Sequence, residues 1–427
     1  MRKLNIAIIG LGNIGSYLYK YLNDNKKILT EKNNCLPVIK YVCAKNKKKK
    51  RNIKIHKNQW LNNYLDATKK KDVDLIIELI GGAEGPAKKV VFNALKNRKH
   101  VVTANKALIA KYGDKLAKIA EQNKVNLEYE ASVCGGVPII RSLKEGLIAN
   151  KISKIYGIFN GTSNYILSSM DKENKNLEDV LLKAQKLGYA ESNPSADLNG
   201  EDVSSKLMIL SSLCFNSFLN NNIYVEGIKK IDKIDIENAN KLGYKIKLLG
   251  FAELLNNKIY QRVHPTLIKK HSYVASIDGV LNAVIVEGKP VGQSTIQGEG
   301  AGAAATTSAL VSDISSILRG NVKFPFSLSS KERKKLKFEN IDQRLFSAYL
   351  RFEVEDRPGI LSNITNIFSK NKVSIKRLVQ NPHKNKKSSS IIIITHKAKD
   401  RFLIKTLKEV DKKNYVKQKS KLIRIDE

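Results

Sequence analysis

The chain has 427 residues, 42% of them hydrophobic and 27% charged, which gives about two to four domains with real cores and excludes a disordered tail. No apolar run reaches the ~18 residues of a membrane span. The four cysteines (Cys35, Cys43, Cys134 and Cys214) form neither a C-x-x-C pair nor a disulfide framework, which predicts a reduced, cytoplasmic protein. The net charge of +36 invites a nucleic-acid reading, but only 13 of the 76 basic residues are arginine and the lysines are spread from Lys3 to Lys421. Composition therefore predicts no nucleic-acid and no membrane partner, with a diffuse positive field that draws anionic small molecules.

The opening Met-Arg-Lys-Leu-Asn-Ile-Ala-Ile-Ile-Gly enters a strand at once and has no small-residue cleavage site behind it, so no secretory leader is expected. Leu4–Ile9 reads as a strand buried on both faces, 16–23 as a helix and Val38–Ala44 as the next strand. The dense run Lys47–Arg51 reads as a solvated loop. Asp74–Ile80 is a strand closed by Gly81-Gly82, Lys88–Lys96 a helix, His100–Thr103 a strand, Leu116–Gln122 a helix and Val125–Ala131 a strand. Strands alternating with helices at this spacing predict a doubly wound parallel sheet over residues 1–135.

From residue 136 to 300 the texture changes to α+β. Strands are predicted at Lys151–Phe159, Lys258–Val263, Ala275–Ile277 and Ala283–Glu287, and helices at 163–170, 177–187 and 202–215. A small-residue helix introduced by Gly298 runs to Leu318 and completes the first unit. Residues 319–346, with the polar stretch Ser327–Gln343, read as a linker. Beyond it, Ser347–Glu355, Gly359–Asn371, Val373–Gln380, Ser388–His396, Arg401–Val410 and Tyr415–Ile425 give strand-helix-strand-strand-helix-strand. That order over 347–427 predicts a ferredoxin-like unit.

Gly10-Leu-Gly12-Asn13-Ile14-Gly15 follows the first strand and opens a helix, the context a dinucleotide-binding turn requires. Gly10 permits the tight turn, Gly12 lets the backbone approach a pyrophosphate, Gly15 lets helix and strand pack, and the free amides at the helix start face phosphate. After the second strand no ribose-binding acid follows Val42-Cys43-Ala44; Lys45 stands there instead. It is either a partner for a 2′-phosphate, favouring NADP over NAD, or one more lysine in a lysine-rich chain. Asp202 and Lys206, four apart, share a helix face. They form either a helix-stabilising surface pair or, with Glu191 and Asp197 in the preceding loop, a cluster that holds an ammonium substrate and supplies a proton. Lys106 ends a parallel strand where such folds place ligands, beside a nicotinamide or simply in solvent. Glu130 with the turn Val133-Cys134-Gly135-Gly136-Val137-Pro138 offers a carboxylate and carbonyls to a hard cation, or is merely a tight turn. Cys134 reads as packing, and Trp60 and the histidines as structural.

Taken together, Gly10–Gly15, Glu78-Leu-Ile-Gly-Gly, Val101-Val-Thr-Ala-Asn-Lys-Ala-Leu, Glu130-Ala-Ser-Val, Gly136-Val-Pro-Ile-Ile, Asn160-Gly-Thr-Ser-Asn-Tyr-Ile-Leu, Leu187-Gly-Tyr-Ala-Glu and Asp202–Lys206 resemble homoserine dehydrogenase. So do Leu242-Gly-Tyr, Arg262-Val-His-Pro-Thr and Asp278-Gly-Val-Leu-Asn-Ala-Val, in the expected order over 1–318. Val354-Glu-Asp356-Arg-Pro-Gly359-Ile-Leu361 resembles an ACT domain, as in the long monofunctional enzymes of that family. The resemblance implies a Rossmann-type sheet, a catalytic and dimerisation domain, and reversible NAD(P)H-dependent reduction of L-aspartate 4-semialdehyde to L-homoserine in threonine and methionine biosynthesis.

Residue by residue, the resemblance implies Lys206 as proton donor, Asp202 and Glu191 as substrate holders, and Lys106 as the bridge between cofactor and substrate. Gly161 and Thr162 fall in the substrate loop, Gly302 beside the cofactor, and Glu130, Val133, Gly135 and Val137 at a sodium site. A homodimer or homotetramer is expected, with threonine as the effector of the ACT unit or the unit serving assembly alone. Asn193, Ser204-Ser205 and Glu299 depart from the family pattern, and Glu299 is expected to point away from phosphate. Two other readings stay open: a different amino-acid-linked Rossmann dehydrogenase, and a catalytically silent amino-acid sensor, against which the set Lys206, Asp202 and Lys106 argues.

Overall fold

The structure, a computed structural model, describes residues 1–383 and 387–426, so positions 384–386 and 427 of the expected C-terminal unit lie outside the described residues. The opening run forms β1 (Arg2–Ile9), whose last four residues are fully buried in the sheet. The glycine turn leads into α1 (Asn13–Asp24), followed by α2 (Lys26–Asn33), β2 (Cys35–Cys43) and a short α3 (Asp66–Lys69). Then come β3 (Leu75–Glu78), α4 (Pro86–Lys96), β4 (His100–Thr103), α5 (Lys106–Asn123) and β5 (Leu127–Glu128). The five strands form a parallel sheet in the order β2-β1-β3-β4-β5.

Some boundaries differ from expectation for local reasons. α2 escaped notice because it is short and mostly polar, burying only Leu29 and Asn33. α5 begins ten residues before the predicted Leu116–Gln122, since the Asn105 side chain caps it by accepting from the Leu108 amide at 3.1 Å. The strand expected over Val125–Ala131 shrinks to β5, because the chain coils into a 3₁₀ turn at Glu130–Ser132.

The second region runs through α6 (Ile139–Arg141), β6 (Lys151–Ile158), α7 (Gly161–Glu173), α8 (Leu177–Lys186), α9 (Ser195–Leu198) and α10 (Glu201–Cys214). It continues with β7 (Tyr224–Val225), α11 (Lys233–Lys241), β8 (Tyr244–Leu255), β9 (Lys258–Lys269), β10 (Leu281–Lys289) and β11 (Gly292–Glu299). The strand expected at Ala275–Ile277 is instead a 3₁₀ turn at Tyr273–Ser276. β8 and β9 form a hairpin joined through Asn256 and Asn257, both in left-handed backbone, which asparagine tolerates. Gly298 and Glu299 close β11, so the small-residue helix starts only at α12 (Ala303–Leu318). α12 returns to the first sheet, burying Leu310, Ile314 and Ile317 in the same core as Leu18 and Leu22.

The polar stretch expected as a linker is packed rather than free. Arg333, 4% exposed, pairs with Asp114 at 2.8 Å, donates to Ser217 O and Ser212 Oγ, and stacks on Phe326. Next, β12 (Lys337–Phe338) runs parallel to the start of β9. The C-terminal unit comprises β13 (Leu345–Glu355), α13 (Ile360–Lys370), β14 (Ile375–Pro382), β15 (Ser388–Thr395), a two-residue β16 (Ala398–Lys399), α14 (Asp400–Asp411) and β17 (Val416–Asp426). Its antiparallel strand order, β17-β13-β15-β14, is the expected ferredoxin-like one. The unit is not separate. β17 pairs in parallel with β9 over Arg424–Asp426, and one sheet runs β11-β10-β6-β8-β9-β17-β13-β15-β14. Among the described residues, no helix is long and apolar enough to cross a membrane.

Candidate active site

The glycine turn has the geometry its spacing predicts. Gly10 has φ +110°, and its amide donates to Cys43 O at 2.9 Å, tying the turn to the end of β2. A Cβ on Gly15 would stand 2.0 Å from Gly10 O, so only glycine lets α1 press this close to the turn. Above Gly12 there is open space, and no side chain caps α1, leaving the first amides at Asn13 and Ile14 free for an anion. This cradle fits a dinucleotide pyrophosphate. A groove beside it is lined by Gly12, Asn13, Ser16, Lys49, Lys50 and Arg51. The basic run is thus only partly the solvated loop expected of it: Lys47–Lys50 are exposed, but Arg51 turns back and donates from Nε to Leu11 O at 2.9 Å. Lys45 is exposed just beyond the end of β2, and its side chain makes no hydrogen bond or ion pair among the described residues.

Beneath the edge of the sheet, a buried chain of hydrogen bonds fixes the loops after β3 and β4. Glu78 accepts from the Ile80 and Gly81 amides and from Thr103 Oγ1 at 2.6 Å. Thr103 Oγ1 accepts from the Asn105 amide, and Asn105 Nδ2 donates to Gly82 O. This holds the start of α5, and therefore Lys106, at the carboxyl edge.

Three helix N-termini meet at Asp202. Lys106 opens α5, Asn160 caps α7 through the Ser163 amide, and Asp202 lies in the first turn of α10 after Gly200. Asp202 Oδ1 pairs with Lys106 Nζ at 2.8 Å and Oδ2 with Lys206 Nζ at 2.8 Å. Asn160 Nδ2 donates to Asp202 Oδ2 at 2.8 Å and to Asp197 Oδ1 at 2.7 Å. Lys206 also donates to Phe159 O at 2.7 Å. The pair is no surface decoration: Asp202 and Lys206 are buried, and the side chain of Lys106 is 42% exposed.

Electrostatics follow from that packing. Burial alone would push Asp202 up, but Lys206 and Lys106, with the Asn160 amide, overcome it and hold the carboxyl well below its usual range. Burial likewise works against the Lys206 ammonium, but Asp202 outweighs it and the net shift is upward. Burial raises Asp197. Cys134, buried and in left-handed backbone at φ +56°, is pushed up to about 11 by desolvation, which fits packing rather than nucleophilic chemistry.

The other expected residues are placed as follows. Thr162 Oγ1 donates to Tyr189 O at 2.8 Å, tying α7 to the loop that carries Glu191. Gly161 approaches Val280 so closely that a Cβ would lie 2.5 Å from its carbonyl oxygen. Glu191 is exposed; its carbonyl accepts from Gln185, and its carboxylate has no partner among the described residues. Asn193 Oδ1 accepts from the Ser195 amide, so asparagine suffices at that turn. Gly302 is exposed with φ +101° before α12; Glu299 is exposed, pairs with Leu281 at the end of β11, and its carbonyl accepts from the Gly136 amide.

Glu130 is buried. Its two oxygens accept from the Ile140 and Arg141 amides at 2.9 and 2.6 Å, and burial raises its pKa despite them. Among the described residues the carbonyls of Val133 and Gly135 receive no hydrogen bond, whereas that of Val137 accepts from Ile139. One carboxylate with unoccupied carbonyls is an oxygen donor set that suits a hard monovalent cation.

Asn160, Glu78 and Asn105 stand in the motifs quoted above, but the motif reading gives them no role. The signal was present at Asn160 and Asn105, since asparagine directly before a helical stretch marks a cap. That one amide also joins two carboxylates is a tertiary fact.

Residues 138–315 match the family described as homoserine dehydrogenase, residues 10–130 its NAD-binding domain and residues 348–412 the ACT domain. The chain is 37% identical to the homoserine dehydrogenase of Neisseria gonorrhoeae, covering 100% of this chain and 99% of that protein. It is also 37% identical to that of Bacillus subtilis, over 93% of this chain and 92% of the relative. The crystal structure of a homoserine dehydrogenase from Thiobacillus denitrificans superimposes with a TM-score of 0.92 at 35% identity, over 100% of this chain and 99% of that one.

Proposed function

The chain belongs to the homoserine dehydrogenase family, and from that premise we propose that Lys206 is the acid of the reaction, protonating the alkoxide as L-aspartate 4-semialdehyde becomes L-homoserine. The nicotinamide cofactor, when bound, supplies the hydride. The residues of the chain align the aldehyde, stabilise the negative charge that grows on its oxygen and deliver the proton. Asp202, bridging two ammonium groups, carries the reading: it fixes Lys206 and Lys106 on either side of one carboxylate, with the more exposed Lys106 facing the cofactor edge. Asp197 joins the same cluster through Asn160, and Glu191, whose carboxylate is unpaired among the described residues, would meet the amino group of the substrate. Gly161 and Thr162 shape the wall beside it.

The raised pKa of Lys206 makes it a strong electrostatic anchor and a reluctant acid. Its proton moves once the oxygen has become an alkoxide, a far stronger base. Gly10, Gly12, Asn13, Ile14, Gly15, Lys45, Lys106 and Gly302 are the cofactor contacts in this reading. The absence of an acid after β2, together with Lys45 and the lysines of the neighbouring groove, supports NADP(H) over NAD(H). Glu130, Val133, Gly135 and Val137 would hold a sodium ion that stiffens the turn beneath the site. A cytoplasmic homodimer or homotetramer, with threonine acting through the ACT unit, completes the proposal.

The test is Lys206→Ala. Turnover should fall by at least about a thousandfold while fluorescence titration shows cofactor binding unchanged; a near-normal kcat refutes the role.

A further inference from the structure

The two ammonium groups that meet Asp202 come from different regions. Lys106 opens α5, which follows β4 of the first sheet, and Lys206 lies in α10 of the substrate region. Asp202 and Lys206 stand four apart on one helix, so their pairing survives any movement of α10 as a body. Lys106 reaches Asp202 only while α5 keeps its angle and height against α10. The groups that hold it there lie farther along both helices. Asp114 is about 12 Å along α5 from Lys106, and Ser212 about 9 Å along α10 from Lys206, at a rise of about 1.5 Å per residue.

Between Asp114 and Ser212 stands the buried guanidinium of Arg333, a residue outside every catalytic motif. Nη1 pairs with Asp114 at 2.8 Å, while Nη2 donates to Ser212 Oγ at 2.8 Å and to Ser217 O at 2.6 Å. The rings of Phe218 and Phe326 lie 5.0 and 4.1 Å from it. Its backbone is laced to the chain after α10: the Phe218 amide donates to Lys334 O at 3.1 Å, and the Lys334 amide to Asn216 O at 3.0 Å. From the α5 side, Asp114 Oδ2 accepts from the Leu219 amide at 3.1 Å. Gly113 allows this approach, since a Cβ there would stand 2.8 Å from Leu219 Cδ1 and 2.9 Å from the Phe326 ring.

A buried ion pair adds little net stability over an apolar pair of the same volume, but a forked guanidinium fixes the direction of several partners at once. We propose that Arg333 is a positioning residue for the reaction: it latches α5 to α10 and thereby keeps Lys106 on Asp202. Without the latch, α5 follows the first sheet, α10 follows the second, and Lys106 leaves the carboxylate. The hydrogen bonds and ion pairs of Arg333, Asp114 and Ser212 reach none of Gly10–Gly15 among the described residues, so the pyrophosphate cradle is spared. The effect on turnover rests on the dehydrogenase reading above; the latch itself does not.

The experiment uses the full chain and starts from Arg333→Met. The backbone lacing remains in that variant, and Ser330 still donates to Glu121 of α5, so the chain should fold. Its kcat should fall at least about tenfold through misplacement of Lys106, with the cofactor Kd unchanged by fluorescence titration. A second readout needs no turnover. Acylation of Lys106 by an amine-reactive reagent, followed by mass spectrometry against the exposed Lys45, should quicken at least about threefold once the amine leaves its carboxylate. Arg333→Lys keeps a cation opposite Asp114 without the fork, so Tm should recover while kcat and Lys106 labelling stay near those of Arg333→Met. Ser212→Ala removes one hydroxyl from the latch, should show both changes at smaller size, and keeps the test open if Arg333→Met misfolds. Unchanged kcat and unchanged labelling overturn the latch. Recovery of kcat in step with Tm in Arg333→Lys also overturns it, since stability alone would then account for the loss. Faster labelling with kcat intact overturns the positioning role and, with it, the reading of Lys106 as a bridge to the cofactor. Because labelling is independent of turnover, failure of the latch and failure of the dehydrogenase reading are told apart.

Discussion

The two sheets of this molecule are built on opposite terms. The first is assembled from strands between Arg2 and Glu128, each joined to the next by a crossover, all parallel. The second begins at Lys151, ends at Asp426, and is spliced by the three-residue register Arg424–Asp426 against Thr266–Ile268. The first presents a cofactor cradle that depends on backbone shape. The second carries side chains and joins a regulatory-type unit to the substrate region through hydrogen bonds across one strand pair. Asp202 sits where the regions touch, taking one ammonium from each. The ACT unit is therefore continuous with the substrate region through strand pairing, whereas the cofactor cradle is joined to it by helix packing, α12 sharing a core with α1.

The most severe way to break that contrast is Gly15→Val. With even a Cβ placed 2.0 Å from Gly10 O, the turn cannot close, and cofactor affinity should fall at least about a hundredfold by fluorescence titration. The second sheet should keep its far-ultraviolet dichroism; retained affinity would mean the cradle tolerates a side chain. Next comes Asp202→Asn, which strikes the point of contact. A loss of about a hundredfold in kcat is expected, with a signature in pH.

In the wild type Lys206 has its pKa raised above 10.5, so if Lys206 is the acid, as proposed, reduction through its ammonium should persist to that pH and homoserine oxidation through its free amine should climb through the alkaline range. Removing the carboxylate lowers that pKa, so the oxidation profile should move to lower pH; an unmoved profile means the titrating group is elsewhere. The smallest effect is Asp426→Asn at the splice. Arg262 donates to both Asp426 oxygens at 3.0 Å, but the acid is about a third exposed, so about 1 kcal/mol and a Tm lower by about 1–2 °C are expected. A change in substrate KM larger than that in cofactor KM would sharpen the view of the second sheet as the coupled one.

Much of the first region could be read without coordinates, because a parallel sheet covered on both faces writes itself as apolar runs and glycine turns. The ferredoxin-like order could be read too, since each of its strands is bounded by turns. The substrate region was harder. β8 and β11 passed unnoticed, the first because Lys245 and Lys247 interrupt its apolar pattern although Lys247 is buried against Asn164 and Asp278, the second because its exposed polar residues alternate weakly. The residues 319–346 looked like a linker because Arg333 reads as polar until Asp114 and Phe326 are seen around it.

The proposed catalytic set shows the same division. Spacing alone put Asp202 and Lys206 on one helical face, and it put Lys106 at a strand end, since both inferences need only the rise of a helix and the polarity of a parallel sheet. Which of two readings held for the Asp202–Lys206 pair turned on burial, and burial depends on what the rest of the chain brings over it. The Asn160 amide between two carboxylates, the second ammonium from α5 and the junction of β17 with β9 all join residues dozens to hundreds of positions apart. One-dimensional periodicity carries no information about such closures; packing decides them, because only a filled core fixes which distant polar groups must satisfy one another.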